Sequence, residues 1–344
     1  MRRTAQYDKQ TQPDWRATLD AFLPSPLRVM AGMLSAADAA RVTEIRLRAE
    51  QPALIMAGRE RVDRFDHMRS GRWIPSGEDV KQFAQTLLGH SMYARAEELR
   101  GGYVTLPGGH RAGLCGRVVL EDGKAHHIQD FSSVALRIAR PVPGCADAVM
   151  PLITDDGKPL NTLVFSAPGC GKTTMLRDVA RLHALSGFQV GIVDERSEIA
   201  ACRHGVPQLD VGPSTDVLDA CPKAEGMILM LRVFSPDILI TDEIGKSMDA
   251  EAIGEASRCG AAVVVSAHAG SMEELMQRPI TGVLLRQRSF ERYVQLGPGG
   301  RLLKAWNGTF GVLFQASDHS VPSDSSDSSE QSYSSDPELP RDSV

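Results

Sequence analysis

Residues 165–174 read FSAPGCGKTT and lie between a short apolar run, NTLVF at 161–165, and a longer run with helical spacing, MLRDVARLHAL, which begins at Met175. The first run is typical of a buried strand and the second of a helix. A glycine-rich loop between a strand and a helix points its backbone N–H groups and the positive end of the helix dipole at an anion. The stretch therefore predicts a phosphate-binding loop.

The residue types in this loop suit a nucleoside triphosphate. Glycines let the backbone approach phosphate oxygens, Lys172 can reach the β- and γ-phosphates, and the hydroxyl of Thr173 can ligate Mg²⁺. The usual pattern G-x-x-x-x-G-K-[ST] begins with glycine, but Ser166 stands there, so the entry turn must form without a residue that readily adopts positive φ. A glycine turn before an ordinary helix is the alternative. The predicted nucleotide-binding residues are Ser166, Ala167, Pro168, Gly169, Cys170, Gly171, Lys172, Thr173 and Thr174.

A second motif lies about 70 residues further along the chain, where the apolar run in DILITDEIG ends in Asp242 and Glu243. In a Walker B strand the first carboxylate binds Mg²⁺ and its neighbour orients and activates water. An acidic pair could instead cap the next helix, but its combination with the phosphate-binding loop favours ATP hydrolysis. We therefore expect ATP and Mg²⁺ as ligands, Thr173 and Asp242 at the metal, and Glu243 and Lys172 as catalytic residues.

Two more predicted strands end in polar residues. In an open α/β sheet, ligands lie just outside the carboxyl ends of the strands, so these residues are expected near the γ-phosphate. A lone histidine is more often packed or on the surface, but the position of His268 after a third strand favours a place in the site. The residues are Asp194, Glu195, Arg196 and Glu198 in GIVDERSEI, and Ser266 and His268 in VVVSAH.

The chain divides near residues 141–159. Before this point, TEIRLR and PALIMA predict strands, SGEDVKQFAQTLLGH predicts a helix capped by Ser76, and SMYARAEELRGG predicts a helix stopped by Gly101 and Gly102. Strand-like runs with P-G-G and D-G turns follow, as in a small α+β domain. After this point, NTLVF, FQVGIVDE, DILITDE and AAVVVSAH alternate with helical patterns, which predicts an α/β fold with a mainly parallel sheet covered by helices.

Composition sets the outer limits. The chain has 344 residues, 42% of them hydrophobic, and a net charge of −5, but residues 317–344 carry seven acids and one base and are expected to be disordered. The rest is therefore almost neutral, so no strong field for nucleic acid is expected. No C-x-x-C pair occurs, the N-terminus lacks the apolar core of a secretion signal, and no apolar run approaches the roughly 20 residues of a membrane helix. We expect a cytoplasmic protein with reduced thiols, whose contact with a membrane is peripheral or through partners. The cysteines are Cys115, Cys145, Cys170, Cys202, Cys221 and Cys259.

The chain resembles the stage III sporulation protein AA family, ATPases of endospore-forming bacteria that are similar to the type II and type IV secretion ATPases. The resemblance runs from about residue 41 to about residue 312. The segments that carry it include TEIRLR, SMYARAEELRGGYVTLPGGHRAGLCGRVVLEDGK, SSVALRIAR, GCGKTTMLRDVARL, VDERSEIAA, GVPQLDVG, TDVLDACPKAEGMILMLR, SPDILITDEIG and SAHAGS.

The resemblance implies a RecA-like P-loop core behind a smaller N-terminal domain. It also implies a homo-oligomeric ring, expected to be a hexamer, and a role in powering a channel of integral-membrane proteins between mother cell and forespore. Glu195 and Glu198 match the acidic box of secretion ATPases, and His268 matches their histidine box, so Glu195 and His268 are added to the expected catalytic residues. The expected segments are 1–40, helical or flexible; 41–145, α+β; 146–316, RecA-like ATPase; and 317–344, tail.

Two other functions stay open at this point. A RecA-like nucleic-acid motor is suggested by the shared core and by the arginines of residues 41–72, although in EIRLR they alternate with apolar residues and no aromatic residues interleave to stack bases. A structural subunit that binds nucleotide without hydrolysis is the other, and an intact Glu243 argues against it.

Charge that develops on the γ-phosphoryl group is often met by an arginine from a neighbouring subunit. Arg196 is nearby in sequence, but arginines on the strand-like runs of the N-terminal domain are better candidates, because related secretion ATPases use N-terminal arginines at the nucleotide. The alternative is that these side chains line a solvated face of a sheet. The possible arginine fingers are Arg111, Arg117, Arg137 and Arg140.

Overall fold

The computed structural model describes residues 14–63, 73–89, 99, 102–121 and 123–317. These residues form two large sheets, one of six strands and one of eight, joined by a segment with a two-stranded hairpin, β7 (Thr154–Asp155) and β8 (Lys158–Pro159). The helix predicted at 91–102 falls almost wholly outside the described residues, as does the tail from residue 318 onward. Within the described ranges, no helix is both long enough and apolar enough to cross a membrane.

The six-stranded sheet is antiparallel, in the order β3-β2-β1-β6-β5-β4. Its strands are β1 (Glu44–Arg48), β2 (Gln51–Ala57), β3 (Glu60–Arg61), β4 (Tyr103–Thr105), β5 (Arg111–Glu121) and β6 (Lys124–Arg137). Its helices are α1 (Trp15–Leu19), α2 (Ser25–Gly32), α3 (Ala36–Arg41) and α4 (Gly77–Leu87). Side chains of these helices, such as Leu19 and Phe83, share one core with Ile45 and Leu136 of the sheet.

Several local predictions for this part are confirmed. TEIRLR and PALIMA form β1 and β2, and Ser76 caps α4 in a capping box with Asp79. One difference is that two strand-like runs, KAHHI at 124–128 and SSVALR at 132–137, form a single strand, β6. Its pairing with β5 is irregular. At the irregularity, Gly116 of β5 lies against the carbonyl groups of Gln129 and Asp130 of β6. The backbones of the two strands come into close contact there, and glycine has no side chain to prevent it.

The eight-stranded sheet has the order β11-β10-β12-β13-β9-β14-β15-β16. Its strands are β9 (Thr162–Ser166), β10 (Val190–Asp194), β11 (Thr215–Asp219), β12 (Ile238–Thr241), β13 (Ala262–His268), β14 (Arg292–Leu296), β15 (Leu302–Asn307) and β16 (Val312–Gln315). The helices that cover it are α5 (Lys172–Leu185), α6 (Lys223–Val233), α7 (Ser247–Arg258), α8 (Met272–Gln277) and α9 (Pro279–Arg286). The predicted α/β fold is confirmed, and two apolar cores lie on its two faces.

The parallel part of this sheet runs from β11 to β14, and β15 and β16 extend it in antiparallel orientation. The sheet is therefore mixed, and the antiparallel edge was not predicted. Strand β9, which leads into the phosphate-binding loop, lies between β13 and β14, which follow it in the sequence by about 100 and about 130 residues. The domain boundaries expected at residues 40/41, 145/146 and 316/317 stay predictions.

Candidate functional site

The predicted phosphate-binding loop connects the end of β9 to the first residue of α5. Gly169 and Gly171 have φ of 75° and 88°, the left-handed region that glycine adopts without strain. Ser166 remains part of β9, and its hydroxyl donates a hydrogen bond to the carbonyl oxygen of Ala167 at 2.8 Å. Because Ser166 does not need positive φ, the missing first glycine of the motif is compatible with this turn.

The loop is backed by the turn between β14 and β15. A Cβ atom at Gly171 would lie 3.3 Å from the backbone of Gly300, a distance at which the neighbouring backbone must shift. The turn between β14 and β15 therefore packs closely against the loop at the point where α5 begins.

Lys172, the first residue of α5, is 5% exposed, and burial lowers the pKa of its ammonium group. Its Nζ lies 2.8 Å from Nδ1 of His268 and 3.3 Å from the hydroxyl oxygen of Ser166. The sequence predicted Lys172 and His268 on separate strand ends, and the structure brings the two side chains into contact.

Glu243 continues this chain of contacts. Its Oε1 lies 2.7 Å from Nε2 of His268, and its Oε2 accepts a hydrogen bond from Nη1 of Arg196 at 3.0 Å. Since a carboxylate only accepts, Nε2 of His268 carries the proton and Nδ1 accepts from Lys172. These contacts link the side chains of Lys172, His268, Glu243 and Arg196 in series.

The backbone of Glu243 is in the left-handed region, with φ of 44°. A non-glycine residue there costs about 1–3 kcal/mol and persists where the surroundings hold it. The hydroxyl oxygen of Ser266 accepts a hydrogen bond from the Glu243 N–H at 3.0 Å, and the Ser266 carbonyl accepts one from the N–H of Ile244. Ser266 therefore positions the backbone that carries the predicted base.

Asp242 is 1% exposed, and neither of its carboxylate oxygens has a hydrogen-bond donor among the described residues. Burial, with the nearby charge of Asp194, raises its pKa to about 7. A buried carboxylate without a donor fits a cation ligand. The described part of the chain has no group of three or more His, Cys, Asp or Glu side chains arranged to hold a metal ion. A Mg²⁺ ion would therefore need the Thr173 hydroxyl and ligand oxygens as well.

The acidic residues at the end of β10 and directly after it have separate roles. The carboxylate of Asp194 accepts hydrogen bonds from the backbone N–H groups of Glu198, Ile199 and Ala200 at 2.7–2.9 Å, so Asp194 shapes the following turn. Burial raises the pKa of Asp194.

Glu195 instead forms ion pairs with Lys223 and Lys246. Lys223, at the start of α6, is almost fully buried, and sequence reasoning missed it because its partner lies 28 residues away. The catalytic role expected for Glu195 stays a prediction.

The four predicted arginine fingers differ in their surroundings. Arg111 lies against its own chain: it donates to the carbonyl oxygens of Arg196 and Ser197 and pairs with Glu198. Arg117 is exposed and pairs with Asp130 of the neighbouring strand. The side chains of the other two make no hydrogen bond or ion pair with described residues and are exposed; these are Arg137 and Arg140. Action across subunits stays a prediction for all four.

The chain is similar to known proteins over most of its length. The family model described as sporulation stage III, protein AA, matches residues 16–305. Over 233 residues the chain is 46% identical to stage III sporulation protein AA of Bacillus subtilis (strain 168), which covers 65% of this chain and 76% of that protein.

Solved structures show the same fold at low identity. The ATPase DotB of Yersinia pseudotuberculosis aligns with a TM-score of 0.52 at 13% identity, covering 83% of this chain and 80% of that chain. The pilus retraction motor PilT with bound ADP aligns with a TM-score of 0.50 at 13% identity, covering 80% of each chain. The expected resemblance and the expected P-loop fold are both confirmed. The match over residues 16–305 and the identity to the Bacillus subtilis protein show that this chain belongs to the stage III sporulation protein AA family.

Proposed function

We propose that this chain is a Mg²⁺-dependent ATPase that powers a secretion-type channel between mother cell and forespore. The observation that carries the proposal is a meeting of three segments that follow or end strands β9, β12 and β13. Lys172 contacts His268, which contacts Glu243, and the neighbouring Asp242 has no hydrogen-bond donor among the described residues. Buried groups with shifted pKa values at the carboxyl edge of a parallel sheet, such as Lys172 and Asp242, are typical of active sites.

The chain's own residues divide the work of binding. Backbone N–H groups of residues 169–173, in the loop and the first residues of α5, bind phosphate oxygens, and Lys172 contributes a cation that is already desolvated. Nζ of Lys172 is held by His268 and by oxygens of Ser166 and Ala167, and we expect a γ-phosphate to replace the imidazole among these partners. Nucleotide binding therefore frees Nδ1 of His268.

Glu243 acts as the base. Its carboxylate orients the attacking water and takes up the proton as the bond between the water oxygen and the γ-phosphorus forms and the bond to the leaving ADP oxygen breaks. His268, bound to Oε1 of Glu243, positions this carboxylate.

Mg²⁺ would be held by Asp242 and Thr173. When bound, the ion would neutralise charge on the phosphate oxygens. The fit rests on the chemistry of the residues present: the buried carboxylate of Asp242, to which no described residue donates, and a hydroxyl in the first turn of α5.

The proposed assembly is a homo-hexameric ring that contacts integral-membrane channel proteins. Membership of the family supports it. Arg137 and Arg140 are the predicted fingers that are exposed and whose side chains make no hydrogen bond or ion pair with described residues, so they are the first to test in subunit-mixing experiments.

The activity is tested with a fluorescent ATP analogue and phosphate release on the full chain. Lys172→Ala should weaken nucleotide binding at least about tenfold, since it removes a charge-assisted contact in a buried site. Glu243→Gln should keep the affinity within about twofold and lower turnover about a hundredfold or more, because the amide cannot act as a base. Lys158→Ala and Glu251→Gln, at exposed positions, are the matched controls.

Near-normal affinity in Lys172→Ala would overturn the site assignment, and joint loss of binding and turnover in Glu243→Gln would make Glu243 structural. The channel role is tested by affinity capture of Glu243→Gln from sporulating cells, where slow turnover should hold the ATP-bound assembly together. Recovery of integral-membrane proteins with Glu243→Gln but not with Lys172→Ala is the expected result. Equal recovery with both would contradict it.

A further inference from the structure

The turn at residues 196–198 is held by the six-stranded sheet, although it belongs to the eight-stranded one. The hydroxyl of Tyr103 donates a hydrogen bond to the carbonyl oxygen of Arg196 at 2.5 Å. Nη2 of Arg111 donates to the same carbonyl at 2.9 Å and also to that of Ser197. The Arg111 guanidinium lies 4.5 Å from the centre of the Tyr103 ring, so the two side chains support each other. The backbone of this turn is therefore fixed by strands β4 and β5.

The side chain of the same residue reaches the predicted base. Arg196 donates from Nη1 to Oε2 of Glu243 at 3.0 Å, and His268 binds Oε1. Both carboxylate oxygens of Glu243 thus have a partner within the chain. The turn is braced on its other side as well, because Nη2 of Arg177 on α5 donates to the carbonyl oxygen of Glu198 at 2.8 Å.

We propose that the six-stranded sheet restrains Glu243 through this turn: Tyr103 and Arg111 position Arg196, and Arg196 holds Glu243 against His268. The inference rests on the proposed ATPase activity and adds a control on it. To orient water, Glu243 must exchange Arg196 for the water as the partner of Oε2. Arg196 is therefore a positioning residue, and movement of β4 and β5 away from the turn releases the base.

The expected change in turnover follows from the solvent exposure of the ion pair between Arg196 and Glu243. Arg196 is 60% exposed and Glu243 25%, so the pair is partly screened by solvent. Removing an ion pair of this kind should raise turnover about two- to fivefold. Affinity for nucleotide should not change, because the contact between Lys172 and His268 does not involve Arg196.

The experiment measures phosphate release at saturating Mg²⁺ and ATP, and binding of a fluorescent ATP analogue, on the full chain. Arg196→Ala, Arg111→Ala and Tyr103→Phe should each raise kcat at unchanged affinity. Arg196→Lys, which can still pair with Glu243, should stay at the wild-type rate. Since Arg111 acts on Glu243 only through Arg196, the double variant Arg196→Ala/Arg111→Ala should be no faster than Arg196→Ala alone. Arg41→Ala, an exposed arginine paired with Glu60, is the control.

A kcat that stays the same or falls in Arg196→Ala, with an unchanged Tm, overturns the restraint. So does a double variant whose gain is the product of the two single gains. Lys172→Ala, measured in parallel, distinguishes failure of the ATPase proposal from failure of the restraint. Phosphate release that is the same in wild type and Lys172→Ala refutes the ATPase proposal and this inference with it. Release that depends on Lys172 but not on Arg196 ends the restraint alone.

Discussion

Asp242→Asn should change how the stability of the nucleotide-free protein depends on pH. Burial raises the pKa of Asp242 from an ordinary 3.8 to about 7, so the folded chain keeps a proton there that the unfolded chain has lost. The stabilisation is fully present below pH 3.8 and is lost as the pH rises through 7. Asparagine has no charge to titrate, so the variant lacks this loss.

The magnitude follows from the two pKa values. At about 1.4 kcal/mol for each pKa unit, the full shift corresponds to about 4 kcal/mol. Between pH 5 and pH 8 the unfolding free energy of the wild type should fall, relative to that of Asp242→Asn, by about 2.5 kcal/mol. His110 and His183, whose burial lowers their pKa to about 4, act in the opposite direction but equally in both proteins. The difference between the two proteins therefore isolates Asp242.

The assay is urea unfolding followed by circular dichroism at pH 5, 6, 7 and 8 in EDTA, without nucleotide. Asp216→Asn, an exposed carboxylate on β11, is the matched control and should run parallel to the wild type. If the unfolding free energies of wild type and Asp242→Asn also change in parallel from pH 5 to pH 8, the carboxylate is not desolvated. The inference that Asp242 fits a cation ligand is then refuted. A residue that lowers stability when ionised yet stands at a strand end is what a functional site is expected to contain.

Three further substitutions test the supporting structure. Gly171→Ala should lower the unfolding free energy by about 1–3 kcal/mol, because φ is 88° and the backbone of Gly300 is 3.3 Å from the new Cβ; an unchanged urea midpoint would contradict it. Ser266→Ala removes the acceptor for the Glu243 N–H and should lower kcat more than nucleotide affinity; equal effects on both would show a general disturbance. Ser76→Ala should cost about 1 kcal/mol through loss of the α4 cap, with no change in nucleotide binding; a change in binding would mean that α4 influences the nucleotide site.

The sequence predicts those parts of the site whose residues are close to one another in the sequence. The strand, the loop and the start of α5 are encoded within residues 161–185, and the pair Asp242 and Glu243 follows β12 directly. Hydrophobic period and glycine positions suffice for such elements, because backbone geometry decides them locally. The contact of Lys172 with His268 follows only once the order of β9 and β13 in the sheet is known.

The parts that the sequence does not predict depend on contacts between distant residues. Tyr103 and Arg111 meet the turn at 196–198 across about 90 residues, and no local pattern marks a strand arginine as a partner of backbone carbonyls. The same holds for Lys223, whose buried ammonium depends on Glu195. Arg111, one of the four possible arginine fingers, also contacts this turn within its own chain, and its action across subunits stays a prediction.

The place of β9 between β13 and β14 has a consequence for folding kinetics. All five of its residues are buried, yet the strands that cover its two edges come about 100 and about 130 residues later. Pairing over such separations is slow, because the entropy of closing a long loop is lost before the contacts form. The loop that follows β9 should therefore acquire its shape among the last steps of refolding. In a refolding experiment, recovery of nucleotide binding should lag behind recovery of the helical circular dichroism signal. A chaperone that binds exposed apolar strands should speed the recovery of nucleotide binding.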